Sequence, residues 1–362
     1  MKKIISCLFL SFIVQYSNST IPSGYYITLN GKQTASLKTE LHNILMQDTS
    51  LYLSYGSGAG HTWQGFYAVD RDLSSNQVID MYSNENRYFP VPNPTFVSFG
   101  QDLHIEHSLP KSWWGSHEWA AYKDLNHLYP ADGSTNLSKS DNPLGVVSGI
   151  PTKNNGVSKI GPATYGDYIG NVFEPHNNFK GDFARTYFYM ATAYEHYKNA
   201  WDTSKPENMM QNNTYPVFKP WAIDLLIQWH RQDPVSEKER TRTDKVYAIQ
   251  LNRNPFIDYP ELVEYIWGNQ MGTVWNISTA VAQTDISDFD LIYNNQLNSF
   301  MIQSSQDISL DYGIFNMAGQ KIMQNITNTN TQTQTNLSKG IYILVIKSKE
   351  NQTEKIFKII QN

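Results

Sequence analysis

The sequence predicts an α+β chain in two parts: a mixed domain with many helices, then a small antiparallel β-sandwich. Three observations carry this reading. From about Ile21 to Gly268 the chain is rich in aromatics, Pro, His and Trp, and several segments have helical spacing or helix-start signals. Within that region, residues 103–143 read as strand, long loop, strand and short helix. Beyond Gly268, Trp and His vanish after Trp275, and short alternating runs rich in Asn, Gln, Ser, Thr and Ile take over.

The first segment, MKKIISCLFLSFIVQYSNST, has Lys2 and Lys3 ahead of an apolar run from Ile4 to Val14, followed by small polar residues. That is the layout of a secretory signal peptide, placed at residues 1–19. The run is too short for a membrane span, so no stable membrane insertion is expected. The only cysteine, Cys7, lies inside it, which leaves the mature protein without thiols or disulfides. The chain is expected to be secreted, to the medium or the cell surface.

A helix is expected at 35–47. The segment 61–82 reads as two β-type runs around a turn at Ser74-Ser75-Asn76. Residues 181–199 read as a long helix with Asp182 as N-cap. Residues 220–232 follow, with Pro220 suited to a first helical turn. Ser236 and Glu239 make a capping box ahead of another helix, and Pro260 opens a last short one. A linker is expected at 272–288, between a catalytic domain at 20–271 and a sandwich at 289–362. The sandwich strands are read at 307–316, 320–327, 341–348 and 354–360, with a turn at Met317-Ala318-Gly319. The polar stretch 327–336, TNTNTQTQTN, reads as a loop or solvent-facing edge.

With a net charge of -5, no global basic field draws the chain to nucleic acid, so any such function needs a local site. There is no Walker A loop, no GxGxxG after a strand and no HExxH; in 117-HEWAA-121, Ala121 stands where a second zinc-binding His would be needed. What remains is a spaced set. Glu106 and His107 end the β-like run DLHIEH, 125-LNHLYP-130 forms a second run, and 135-TNLSKSDNP-143 suits a helix stopped by Pro143. Strand neighbours point to opposite faces, but at a frayed strand end Glu106 and His107 could converge on one cleft, with Asn136 facing back from the helix. A carboxylate and an amide oxygen are hard ligands suited to Mg²⁺, with Mn²⁺ or Ca²⁺ as substitutes. A neutral imidazole beside such an ion can take a proton from water.

These residues carry a resemblance. The runs 106-EHSLPKSWWG-115 and 122-YKDLNHLYPADGSTNLSKSDNPLG-145 resemble the signature of the bacterial endonuclease I family, and 181–197 and 229–268 agree with it. The resemblance implies a mainly helical α+β fold with a ββα-metal (His-Me finger) core. It also implies a secreted nuclease that cleaves DNA and RNA with little sequence preference and leaves 5′-phosphate ends. Residue by residue, it implies His107 as general base and Glu106 and Asn136 as metal ligands. Asp124 and His127 would support or line the site from the second strand. Lys139, where the family often has Arg, and Asn142 would support the site or contact phosphate. Lys111 and Lys123 are the only cations between His107 and the second strand, and the role of phosphate contact there stays open. Arg253, in RNPF, would be either a phosphate contact or a structural residue under the site. His104 reads as structural, His117 as a surface loop residue, and Trp113, Trp114 and Trp119 as packing more than base-stacking.

The tail, with 337-LSKGIYILVIKS-348 and 354-EKIFKII-360, resembles a type IX secretion sorting domain, although the usual opening Pro-Asn-Pro is replaced by 292-IYNNQLNS-299. It implies the type IX secretion machinery as a partner. Two rival readings stand beside the nuclease. One is a zinc hydrolase built on His104, His107, His117 or His127, whose spacing is not that of a zinc site. The other is a non-catalytic surface module that binds nucleic acid or serves adhesion.

Overall fold

The computed structural model describes residues 21–22, 24–89, 102–165, 168–277, 289–304, 308–317, 319–348 and 354–361. The signal peptide expected at 1–19, residues 278–288 of the expected linker, and Ala318 of the expected turn lie outside them. The chain divides into two compact units, Met1–Asn276 and Ile277–Asn362. No helix among the described residues is long and apolar enough to cross a membrane.

The first unit mixes helices with short antiparallel sheets, in keeping with the α+β class. It opens with α1 (Thr34–Leu45) and α2 (Thr62–Val69). The second of these is a correction, since the sequence suggests a β-type run there. Trp63, Phe66 and Val69 recur every three residues and all bury into one core, a spacing only a helix can satisfy. The expected turn that follows is present: Asp72 Oδ1 accepts the backbone N–H groups of Ser74 (2.9 Å) and Ser75 (2.8 Å).

Next come β1 (Leu103–His107), β2 (Leu128–Asp132) and α3 (Gly133–Lys139). The two strands pair antiparallel, with Glu106 opposite Tyr129 and His107 opposite Leu128. Three strands follow, β3 (Lys153–Asn154), β4 (Lys159–Tyr165) and β5 (Tyr168–Glu174), in spatial order β3-β4-β5.

Helix α4 (Lys180–Ala193) is buried along its whole length and packs against α1 and against α5 (Pro220–Gln232). Asp182 does not cap it. The N-cap is Phe179, and the Asp182 carboxylate, inside the first turn, instead pairs with Lys238. Pro220 stands at the first position of α5, and α6 (Glu237–Gln250) carries the expected capping box between Ser236 and Glu239. The short helices α7 (Pro255–Asp258) and α8 (Leu262–Ile266) close the unit. Trp275 then returns to bridge Lys32, its backbone N–H donating to the Lys32 carbonyl at 2.8 Å.

The second unit has two antiparallel sheets around one core. Strands β6 (Asp290–Asn294), β7 (Ser299–Gln303) and β10 (Thr333–Gln334) form one sheet; β8 (Ser309–Asn316), β9 (Lys321–Asn328), β11 (Gly340–Ser348) and β12 (Glu354–Gln361) form the other, in order β12-β11-β8-β9. Alternate residues Leu310, Tyr312 and Ile314 face inward, as the period of two requires, and meet Phe300, Ile302, Leu344 and Ile346. Burying each such aliphatic contributes about 1.5–3 kcal/mol. The polar stretch 327–336 is partly an edge, as β10, yet Thr335 is buried and its hydroxyl donates to Asn298.

Candidate active site

The hairpin and helix that hold the sequence-predicted residues are set by local chemistry. Strand alternation buries Leu103 and Ile105 in the core shared with α2 and α6. His104 and Glu106 therefore leave β1 on the other face, towards α3. No turn separates β2 from α3. Asp132 ends the strand and caps the helix, its Oδ2 accepting the Thr135 backbone N–H and hydroxyl at 2.7 Å each. Its Oδ1 accepts from Arg87 at 2.6 Å. Gly133 is required at the first helical position, because a Cβ there would lie 2.8 Å from the Asp102 carbonyl and 2.9 Å from the His104 ring. The helix also stops earlier than Pro143 suggests, at Lys139, where Ser140 takes a positive φ.

His107 ends β1 with its ring in an aromatic cage. Tyr55 stacks on it at 5.4 Å, Tyr122 lies at 4.8 Å, His127 at 5.5 Å, and Trp114 meets it edge-on at 6.0 Å. Its Nε2 lies 3.1 Å from the Tyr122 carbonyl. A carbonyl only accepts, so Nε2 carries the proton and Nδ1 keeps a lone pair. Burial first, and then repulsion from His127, holds the His107 pKa well below the ordinary value, against the pull of the Tyr122 carbonyl. The imidazole is therefore neutral, with the Nδ1 lone pair left to accept a proton. His127 is fixed in the same way, Nε2 donating to the Ala121 carbonyl at 2.5 Å, and its carbonyl accepts from the Ser108 backbone at 3.1 Å. Burial lowers its pKa to about 4, with Asp124 acting in the opposite direction.

On the other face of β1, two contacts join strand to helix. Glu106 Oε1 lies 2.8 Å from Lys139 Nζ, and Asn136 Nδ2 lies 3.4 Å from His104 Nδ1. Residues 104 and 106 share one strand face and 136 and 139 one helix face, so α3 lies across β1 with Asn136 and Glu106 on the same surface. Burial raises the Glu106 pKa, and the Lys139 ammonium opposes it. These donors fit a hard divalent cation that keeps most of its water: one carboxylate with one oxygen taken by Lys139, and one half-buried amide. They do not fit zinc. Among the described residues no three His, Cys, Asp or Glu gather in a way that could hold a metal ion, and so no three of His104, His107, His117 and His127 do.

β1 keeps its register through His107, so its end is not frayed. Glu106 and His107 leave on opposite faces at the last two positions of the strand.

The remaining candidates fall into place by what they touch. Asp124 and His127 precede β2 and do not lie on it. Asp124 is fully buried and accepts from Tyr189 (2.6 Å), Tyr194 (2.7 Å), Tyr52 (3.4 Å) and Gln250 (2.6 Å). Asn126 joins the same network through Asn252. Asn142 lies in the turn after α3, its backbone N–H donating to the Lys139 carbonyl at 3.0 Å. Arg253 is buried and forked onto Asp258 (2.7 and 2.8 Å) and Asp244 (2.7 Å), which is the structural arrangement of its two expected roles. Lys111 lies 5.4 Å over the Tyr122 ring. Trp113 and Trp114 are packing, fully buried, but Trp119 is 43% exposed. Sequence reasoning missed Tyr55, the Tyr122 and Ala121 carbonyls and the Asp132 cap. Only the last had a signal, an Asp three residues before a helix-compatible run.

A buried neutral imidazole thus ends β1, and the opposite face of the strand carries a carboxylate beside an amide from α3. The chain belongs to the Endonuclease I family, whose model matches residues 33–261. It is similar to the extracellular ribonuclease of Bacillus subtilis (strain 168), 33% identical over 249 residues that cover 67% of this chain and 78% of the relative. The extracellular ribonuclease of Bacillus amyloliquefaciens matches with the same identity and coverage. Residues 293–361 match the secretion system C-terminal sorting domain. The chain is thus a nuclease, secreted or held at the cell surface.

Proposed function

We propose that this nuclease is a divalent-metal-dependent, non-specific endonuclease with a ββα-metal (His-Me finger) core, β1, β2 and α3, hydrolysing DNA and RNA to 5′-phosphate products. The observation that carries the reading is His107: a buried ring whose Nε2 is held by the Tyr122 carbonyl, leaving Nδ1 as a base. Nδ1 takes the proton of a water molecule as its oxygen attacks phosphorus. The bond from phosphorus to the 3′ oxygen breaks, the leaving oxygen takes a proton from solvent, and the products are a 5′-phosphate and a 3′-hydroxyl. General-base assistance of this kind is worth about 10²–10⁴-fold. Glu106 and Asn136 would hold Mg²⁺, with Mn²⁺ or Ca²⁺ as substitutes. When bound, that cation supplies positive charge to the phosphate and the leaving oxygen. Because Glu106 and His107 leave β1 on opposite faces, the scissile phosphate would lie across the end of the strand to meet both. Lys139, paired with Glu106, would offer a point charge to a phosphate. The two relatives are named for ribonuclease activity, which supports RNA as a substrate beside DNA. The sorting tail supports export by the type IX secretion machinery.

The test is digestion of plasmid and RNA by the purified protein after chelation, with Mg²⁺, Mn²⁺, Ca²⁺ or Zn²⁺ restored, beside His107→Ala. The expected result is nicking restored by Mg²⁺ or Mn²⁺ and lost in the folded variant. Recovery with Zn²⁺ alone, or substrate left intact under every metal, would falsify the reading. Binding without cleavage would favour the non-catalytic surface module.

A further inference from the structure

The loop between β1 and β2 carries a pair of exposed aromatic rings that the chemistry above does not use. His117 and Trp119 stack with ring centroids 4.4 Å apart and planes 21° from parallel. Both are exposed, whereas Trp113 and Trp114 of the same loop are fully buried. An indole left half exposed forgoes part of its hydrophobic gain, and two flat rings stacked at the surface make a platform of the kind on which bases stack.

The pair is tied to His107 at both ends. Trp114, edge-on to the His107 ring, donates its indole N–H to the His117 carbonyl at 3.2 Å. On the other side, the Trp119 carbonyl accepts the backbone N–H of Tyr122 at 3.0 Å, and the Tyr122 carbonyl holds His107. Trp119 is three residues from Tyr122, so their Cα atoms lie within about 11 Å. Tyr197, itself buried, meets the indole edge-on at 4.8 Å and holds it in place. Gly115, with φ +77°, brings the backbone close under His117: a Cβ there would lie 3.1 Å from the ring.

We propose that His117 and Trp119 form a ledge on which an unpaired nucleobase of the substrate strand stacks, beside the scissile phosphate. The ledge rests on the nuclease reading and adds a preference to it. A base in a duplex has both faces covered by its neighbours, and only a single strand or an unpaired end presents a free one. The ledge therefore favours single-stranded over double-stranded substrate without reading sequence.

The experiment uses the full chain in a His107→Ala background, so that nothing is cut. Binding of a fluorescently labelled single strand and of the matching duplex is measured by anisotropy, at one fixed salt concentration, for that parent and with Trp119→Leu, Trp119→Phe or His117→Ala added. The expected result is about tenfold weaker single-strand binding for Trp119→Leu, with duplex binding unchanged and Trp119→Phe close to the parent. His117→Ala, at an exposed position, should show the same selective loss and covers the case in which Trp119→Leu does not fold. Single-strand binding as tight as the parent's in both Trp119→Leu and His117→Ala overturns the ledge, as does an equal loss for both substrates. If the wild-type protein meanwhile degrades nucleic acid, the nuclease reading stands without it.

Discussion

Lys139 Nζ lies 2.8 Å from Glu106 Oε1, with both side chains out of solvent. The ammonium holds one carboxylate oxygen, so on the proposed reading it competes with a divalent cation for Glu106. Replacing it with a neutral chain of similar length, Lys139→Met, should tighten Mn²⁺ binding about tenfold by calorimetry, a gain of about 1.4 kcal/mol. Without metal the same variant leaves Glu106 buried and unpaired, a loss of about 3–5 kcal/mol. Its melting temperature should fall, and added metal should raise it by more than in wild type. A metal-induced shift no larger than wild type's would show that Lys139 does not compete.

Burial of a neutral histidine ties stability to pH with a definite sign. His127 has its pKa lowered to about 4, so between the unfolded value near 6.5 and 4 the unfolded chain binds the proton and the native state does not. The contribution is full above pH 6.5 and lost as pH falls, reaching about 3 kcal/mol across the window. His230, also lowered to about 4, acts in the same direction. Asp80, raised to about 6 by burial, acts in the opposite one. The effect is therefore read by difference: urea unfolding of His127→Asn at pH 7 and pH 4.5 should show a smaller loss than wild type. Equal losses would place the titrating groups elsewhere.

The sequence makes the helix starts legible where the signal is local, as with Pro220 and the Ser236–Glu239 box, because caps are set by three or four residues. The strand–loop–strand–helix order around Glu106, His107 and Asn136 is legible for the same reason. What escapes is whatever depends on distant partners. The 62–69 helix reads as a strand until Trp63, Phe66 and Val69 have a common core to enter. Asp182 looks like a cap until Lys238, 56 residues on, claims it. The carbonyls of Tyr122 and Ala121 that fix the two histidine tautomers leave no trace in residue type at all.

Asp124 is the hub under the site, and its role is expected to be structural. Its Oδ2 accepts from the hydroxyls of Tyr52, Tyr189 and Tyr194, and its Oδ1 from Gln250 and the Asn126 backbone. Asp124→Ala leaves buried hydroxyls and an amide without acceptors, each worth about 1–3 kcal/mol. The total should lower the melting temperature by ten degrees or more, on the order of 4–8 °C per kcal/mol for a small domain and about half that at this size. Below the new transition, cleavage by the variant should retain its metal profile. A stable variant with an altered metal profile would put Asp124 in the chemistry instead.

Arg253 provides the sharpest contrast between a structural and a substrate role. A guanidinium that grips phosphate adds to the salt dependence of nucleic-acid binding, about one unit of slope for each contact. Arg253 instead fills its fork with Asp258 and Asp244, and these opposite charges, outweighing its burial, raise its pKa above the ordinary value. Arg253→Met should therefore cost about 3–5 kcal/mol of stability by leaving Asp258 buried and unpaired. The slope of log Kd against log salt, measured with a His107→Ala parent, should not change. Arg253→Lys should recover only part of the stability, because one ammonium cannot span two carboxylates as the fork does. A slope that falls by about one, with the melting temperature intact, would return Arg253 to the phosphate.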